Sequence, residues 1–308
     1  MDREQKRKQR VQLRCLKKLD KKEEKLLEER NPSLIAQKAG ELTAPVREKL
    51  REKVPEKFSD GAQAAAEMTR SVEARVTMPA PHRSAPAAAE KSTELLEKAF
   101  EKSFEVVLEK GSRWIGKLCS EEKLREDYLQ FAQKPLSSWE LYKLGCKAAG
   151  RAGANMAFSS VQGGLMGALG IGLPDVPIFL GAVFKTLFEI SLRFGYPYDT
   201  QPEQIYQMLL ICAAVGDEAQ RRQASADADR IAQEMRQKAR TGEELSISRE
   251  QAKKRASHAL CSAALAGKLV QGTPVIGVYG GFRNGVLLRQ VGSMAAVKYQ
   301  QRRLREMR

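Results

Sequence analysis

The chain has 308 residues, of which 42% are apolar and 30% charged, and its formal net charge is +15. A chain this long buries a core without metal or disulfide support. Cys15, Cys119, Cys146, Cys212 and Cys261 form no CxxC pair, which argues against a zinc framework or a disulfide scaffold. They read instead as small buried hydrophobes in a reducing compartment.

Residues 1–30 are rich in Lys, Arg and Glu, with Val11, Leu13, Leu16, Leu19, Leu26 and Leu27 scattered among them. Good helix formers predominate, so the segment is predicted to be a basic helix. Its thin apolar stripe favours a solvated helix first and a surface touching acidic lipid second. The opening residues are too charged for a signal peptide, which places the chain in a bacterial-type cytosol, with the inner face of a membrane as the further location.

Residues 31–90 read as a flexible linker with short helices, because Pro32, Pro45, Pro55, Pro79, Pro81 and Pro86 interrupt them. From residue 91 to 308 helical periodicity takes over. Leu95, Leu96, Ala99, Phe100, Phe104, Val107 and Leu108 recur on one face, continued by Trp114, Ile115 and Leu118. Ser137 with Glu140, and Thr200 with Glu203, have capping-box spacing. Residues 217–257 are polar and read as a mobile helix pair or an exposed insertion around Thr241 and Gly242. Without sustained strand alternation, the fold class is all-α: a helical domain with glycine-rich apolar hairpins behind a charged helix and a Pro/Ala-rich linker.

Between Arg151 and Lys185 the only charged residue is Asp175. A bilayer span needs about 20 continuous apolar residues, and Pro174, Asp175 and Pro177 cut this run short. A helical hairpin buried in protein is the first reading, and a re-entrant or interfacial hairpin the second. Asp175 stands where a helix should start and can cap its free N–H groups. Lys185, Glu189 and Arg193 then form a salt-linked row, read as a wet face. Small residues four apart, Gly145, Ala149, Gly153 and Ala157, and then Gly277, Gly281 and Gly285, allow close helix approach in lipid or in protein.

Residues 172–214, with Pro174, Asp175, Pro177 and the Phe194-Gly195-Tyr196 turn, resemble the central signature of the EcsC family. So do residues 274–304, where Gly277, Gly281 and Gly285 flank Asn284. The resemblance covers roughly residues 90–308; the basic first 90 residues look atypical. It implies a mostly helical domain with hydrophobic hairpins and a link to the membrane or to secretion, and it carries no catalytic residue across.

Familiar catalytic chemistry is missing from the sequence. There is no HExxH, GxSxG or Walker loop, and His82 and His258 are the only histidines. If one helix holds Asp175 and Glu189, they lie roughly 21 Å apart, beyond the ~10 Å of a carboxylate pair. The net charge favours anionic partners without choosing among them. Three functions follow in order. The first is a non-enzymatic binding protein needing no cofactor, peripheral on a membrane surface or a membrane-protein partner, with anionic lipid as ligand. Its motivation includes the arginines at 302, 303, 305 and 308. The second is nucleic-acid binding through the basic tails, although residues 1–57 hold no aromatic for bases to stack on. The third is an enzyme of unrecognised type built on Asp175, Tyr196 and Asn284, should these converge.

Overall fold

The computed structural model describes residues 3–28, 86–111, 175–238, 244–265 and 276–307. These form seven α-helices: α1 (Arg3–Glu28), α2 (Pro86–Val106, its last turn widening into a π-turn over Val107–Gly111), α3 (Asp175–Arg193), α4 (Gln201–Val215), α5 (Glu218–Lys238), α6 (Arg249–Leu265) and α7 (Ile276–Glu306). No strand occurs among the described residues, and the all-α assignment holds. The Ser137–Glu140 box, Thr241, Gly242, Pro174 and the whole of the apolar run before Asp175 lie outside the described residues.

The centre is α4, whose residues from Glu203 to Ala214 are all buried. It packs against α5, α6 and α7, while α3 lies on α7 and α2, and α1 lies along α7. A chain of rings ties α2 to α3 and the turn beyond it. Phe104 meets Phe184 edge-on at 5.7 Å, Phe184 meets Phe188 at 5.6 Å, and Phe188 meets Tyr198 at 4.5 Å. Such aromatic pairs add about 1 kcal/mol each beyond the area they bury.

The termini of α3 to α6 show where local chemistry decided the fold. At the end of α3, Gly195 has φ 78°, a backbone that side chains with a Cβ resist. Its N–H donates to Leu192 O at 3.0 Å and the Tyr196 N–H donates to Ser191 O at 3.0 Å. That pairing is the Schellman stop. The Ser191 hydroxyl reinforces it by donating to the carbonyls of Tyr196 and Pro197. Two reciprocal capping boxes start the next helices. Asp217 and Gln220 exchange backbone and side-chain bonds before α5, and Ser248 and Gln251 do so before α6.

The Thr200–Glu203 box did not form. Helix α4 does begin after Thr200, with the Gln204 N–H donating to Thr200 O at 2.9 Å, but the threonine side chain makes no cap bond. Glu203 has turned inward instead. Residues 217–257 supply a helix pair, α5 and the start of α6, that is built into the core: Ala224, Ala228, Ile231, Ala252 and Ala256 are all fully buried, and small side chains let α5 and α6 close on α4. The row Lys185, Glu189, Arg193 is not a wet face either. Lys185 and Glu189 form a half-buried ion pair, and Arg193 is buried.

The first helix differs most from expectation. It exists as predicted, but Cys15, Leu16, Leu19 and Leu27 are buried in the common core. The thin stripe is wide enough because α1 lies along α7 with α4 and α5 also against it, and polar bonds to α5 and α7 close its edges. Leu19→Ala is therefore expected to lower unfolding free energy by about 3 kcal/mol, read as a reduced urea midpoint at unchanged m-value; a solvated helix would leave the midpoint where it is.

Candidate functional site

The two family-like segments meet. Helix α3 carries Asp175 as its first residue and a buried Pro177 in its first turn, where a missing N–H costs nothing. Gly277, Gly281, Asn284 and Gly285 follow one another along the first turns of α7, which packs on α3. Gly195 makes the stop described above, and Tyr196, just beyond it, is buried against the far end of α7. Of the trio Asp175, Tyr196 and Asn284, only the Tyr196 side chain is among those described, so their convergence lies outside the described residues.

Around Tyr196 the structure assembles a buried polar cluster that periodicity did not reveal. Glu203 on α4 is completely buried. It receives the Tyr299 hydroxyl at 2.6 Å and the Arg302 guanidinium at 2.9 and 3.1 Å, one distance to each carboxylate oxygen. Arg302 stacks its guanidinium over the Tyr196 ring at 3.9 Å, with the Tyr206 ring at 5.0 Å. Its Nε donates to Glu306, which also takes the Tyr196 hydroxyl at 2.6 Å. Burial pushes the Glu203 carboxyl above the usual carboxylate range, opposed by Arg302 and by the Tyr299 hydroxyl. A guanidinium does not give up its proton in proteins, so titration of the pair falls on Glu203. The Tyr206 hydroxyl is buried and has no hydrogen-bond partner among the described residues.

A second cluster lies one turn earlier on α7. The Lys298 side chain has no exposure at all, yet its ammonium reaches Asp229 at 2.7 Å, Glu23 at 3.2 Å and the Ser225 hydroxyl at 3.0 Å. Asp229 also holds Arg305 at 2.9 Å, and Arg303 pairs with Glu306. Thus three of the four C-terminal arginines expected to form a basic membrane cluster are engaged by carboxylates of the fold. Arg308 lies outside the described residues.

The exposed positive charge sits elsewhere. From Arg3 to Lys21, α1 carries nine basic residues against two acids, Glu4 and Asp20. At 3.6 residues per turn, Arg3, Lys6, Arg7, Arg10, Arg14, Lys17 and Lys21 share about 100° of arc, opposite the buried stripe. All seven are exposed. The i, i+3/i+4 spacing of these residues was the signal for this face, masked in the sequence by the prominence of the apolar hairpin.

Among the described residues no group of His, Cys, Asp or Glu is arranged to hold a metal ion, and no helix is long and apolar enough to cross a membrane. His258 lies 3.3 Å from Glu97 on a half-exposed surface. Cys15, Cys212 and Cys261 are buried free thiols, and burial pushes Cys212 up to about 12.

A sequence profile described as the EcsC protein family matches residues 13–304, so the match reaches into α1 and is not confined to the part after residue 90. No curated protein and no solved structure is matched.

Two outcomes follow. Arg302→Met leaves Glu203 buried with no guanidinium, its folded pKa still further above the unfolded value. Such a group's stability is present below the unfolded pKa and lost as pH rises through the folded one. The variant should therefore lose about 3 kcal/mol relative to wild type near about pH 8 and much less near about pH 4.5, measured by urea unfolding. The peptide containing Cys212 should stay unmodified when the native protein is treated with iodoacetamide at neutral pH and become labelled in urea, as read by mass spectrometry.

Proposed function

The chain belongs to the EcsC protein family, and from that premise we propose that it is a non-catalytic binding protein that docks peripherally on an acidic membrane surface, in the service of transport or secretion. The observation that carries this reading is the exposed basic face of α1. Its opposite, apolar stripe is consumed by the core, so the helix is fixed on the body of the protein and presents cations as a rigid row.

Charge of this kind is attracted by an anionic leaflet at about 1 kcal/mol per basic residue and is screened within a Debye length. The non-catalytic part of the reading is supported by the way the buried carboxylates are used. Glu203 is held by Arg302 and by the Tyr299 hydroxyl, and Asp227 by Arg230 at 2.7 Å and Arg255 at 2.8 Å. Groups so paired serve cohesion, with no lone acid or base poised toward solvent at that centre.

Flotation of the full-length protein with vesicles tests the proposal. Wild type is expected to float with phosphatidylglycerol-containing vesicles in about 0.1 M salt and to stay behind in about 1 M salt, where the screening length shrinks to about 3 Å. Reversing three exposed charges, with Arg10→Glu, Arg14→Glu and Lys17→Glu, should weaken vesicle binding at least about a hundredfold without shifting the unfolding midpoint. A wild-type protein that ignores anionic vesicles at every salt concentration would end this reading.

A further inference from the structure

Helices α1 and α7 run antiparallel, and their polar contacts give the register. Glu23 meets Lys298, Asp20 accepts from the Gln301 amide at 3.0 Å, and the Gln12 amide donates to Leu304 O. Walking back along α1 is walking forward along α7. The N-terminal half of α1 therefore lies beside the last turn of α7. At that end sit the two large hydrophobic side chains that are exposed among the described residues, Leu13 and Met307, each 42% exposed. Leu13 adjoins Gln12, and Met307 is one turn beyond Leu304. Separated by most of the chain, they are brought to one end of one helix pair.

Their setting is cationic. On the helical wheel Leu13 falls at the edge of the basic arc, next to Lys6 and Lys17, with Arg10 and Arg14 following on the same face. We infer that this end of the molecule is the face that meets the bilayer: the basic residues of α1 lie on anionic headgroups while Leu13 and Met307 dip into the interfacial layer and fix the protein's orientation. The inference rests on the membrane reading above and deepens it.

The chemistry favours lipid over other anionic partners. A stable protein partner needs roughly 800 Å² of complementary surface on each side, with a contiguous apolar centre. Two separate apolar side chains among cations do not supply one. A nucleic acid would gain little from Leu13 and Met307, and α1 has no aromatic residue on which a base could stack. An interfacial layer accepts isolated aliphatic side chains and, at the same time, anchors Lys and Arg. Because the apolar stripe of α1 stays in the core, the contact is shallow, and it forms without unfolding any helix.

Tryptophan probes read the orientation directly. Leu13→Trp, Met307→Trp and, as a control on α6, the exposed Lys254→Trp are each mixed with vesicles of phosphatidylglycerol and chain-brominated phosphatidylcholine. The signal of wild type, which holds Trp114 and Trp139, is subtracted. Bromine quenching is expected at positions 13 and 307 and not at 254. The double variant Leu13→Ser/Met307→Ser should bind the same vesicles about tenfold more weakly while keeping its unfolding midpoint. If wild type floats but positions 13 and 307 are quenched no more than position 254, the docking face is overturned and the membrane reading survives. If wild type does not float and instead shifts a duplex RNA or DNA probe at low salt, the membrane reading falls and the inference with it.

Discussion

Two cations on one helix must be kept out of water and still be paired. Lys298 and Arg302 stand one turn apart on α7, both buried. Removing either charge from solvent costs several kcal/mol unless carboxylates and dipoles replace the water. The replacements come from three other helices: Glu23 of α1 and Asp229 of α5 for Lys298, and Glu203 of α4 for Arg302. No single helix could satisfy both cations. The pairing is complete only when α1, α4 and α5 are docked in register on α7, and a slip of one residue in any of them would strand a charge.

This constraint explains why so polar a helix as α1 belongs to the core at all. Cys15, Leu16, Leu19 and Leu27 supply apolar contact, but four buried apolar side chains on a 26-residue helix are a modest anchor. Asp20, Glu23 and Glu24 add the rest by meeting Gln301, Lys298 and Arg222 across the interface. The acids of α1 cluster in its second half, facing the body, and the bases crowd the first half and the outer face. One helix is thereby divided lengthwise and around its circumference into a part that holds the fold together and a part that offers positive charge. The proposed docking depends on that division, since a loose helix would present no fixed face.

The same economy is seen at the other end of the chain. The arginines of the last turns of α7 look like surface charge when read as a run, yet Arg302 lies between Tyr196 and Tyr206 and faces Glu203, and Arg305 is held by Asp229. The Schellman stop at Gly195 matters here because it delivers Tyr196 onto Arg302 as soon as α3 ends. The two family segments, far apart in sequence, are joined at that one ring.

The amino-acid sequence alone determined the class of the fold, the existence of the basic helix, the turn at Gly195, the start of α4 after Thr200 and membership in the EcsC family. Each depends on local chemistry: helical periodicity, the φ > 0 tolerance of glycine, the missing N–H of proline, and short motifs. The sequence left undecided which charges face water. Glu203 and Glu23 are both acids at good helical spacing, and Arg10 and Arg302 are both arginines in basic runs. Only tertiary structure buried Glu203, Lys298 and Arg302, and only it left Arg10 and Leu13 outside. The physical reason is that a charge's environment is set by partners on other helices, and a linear pattern holds no record of those partners until the helices have packed.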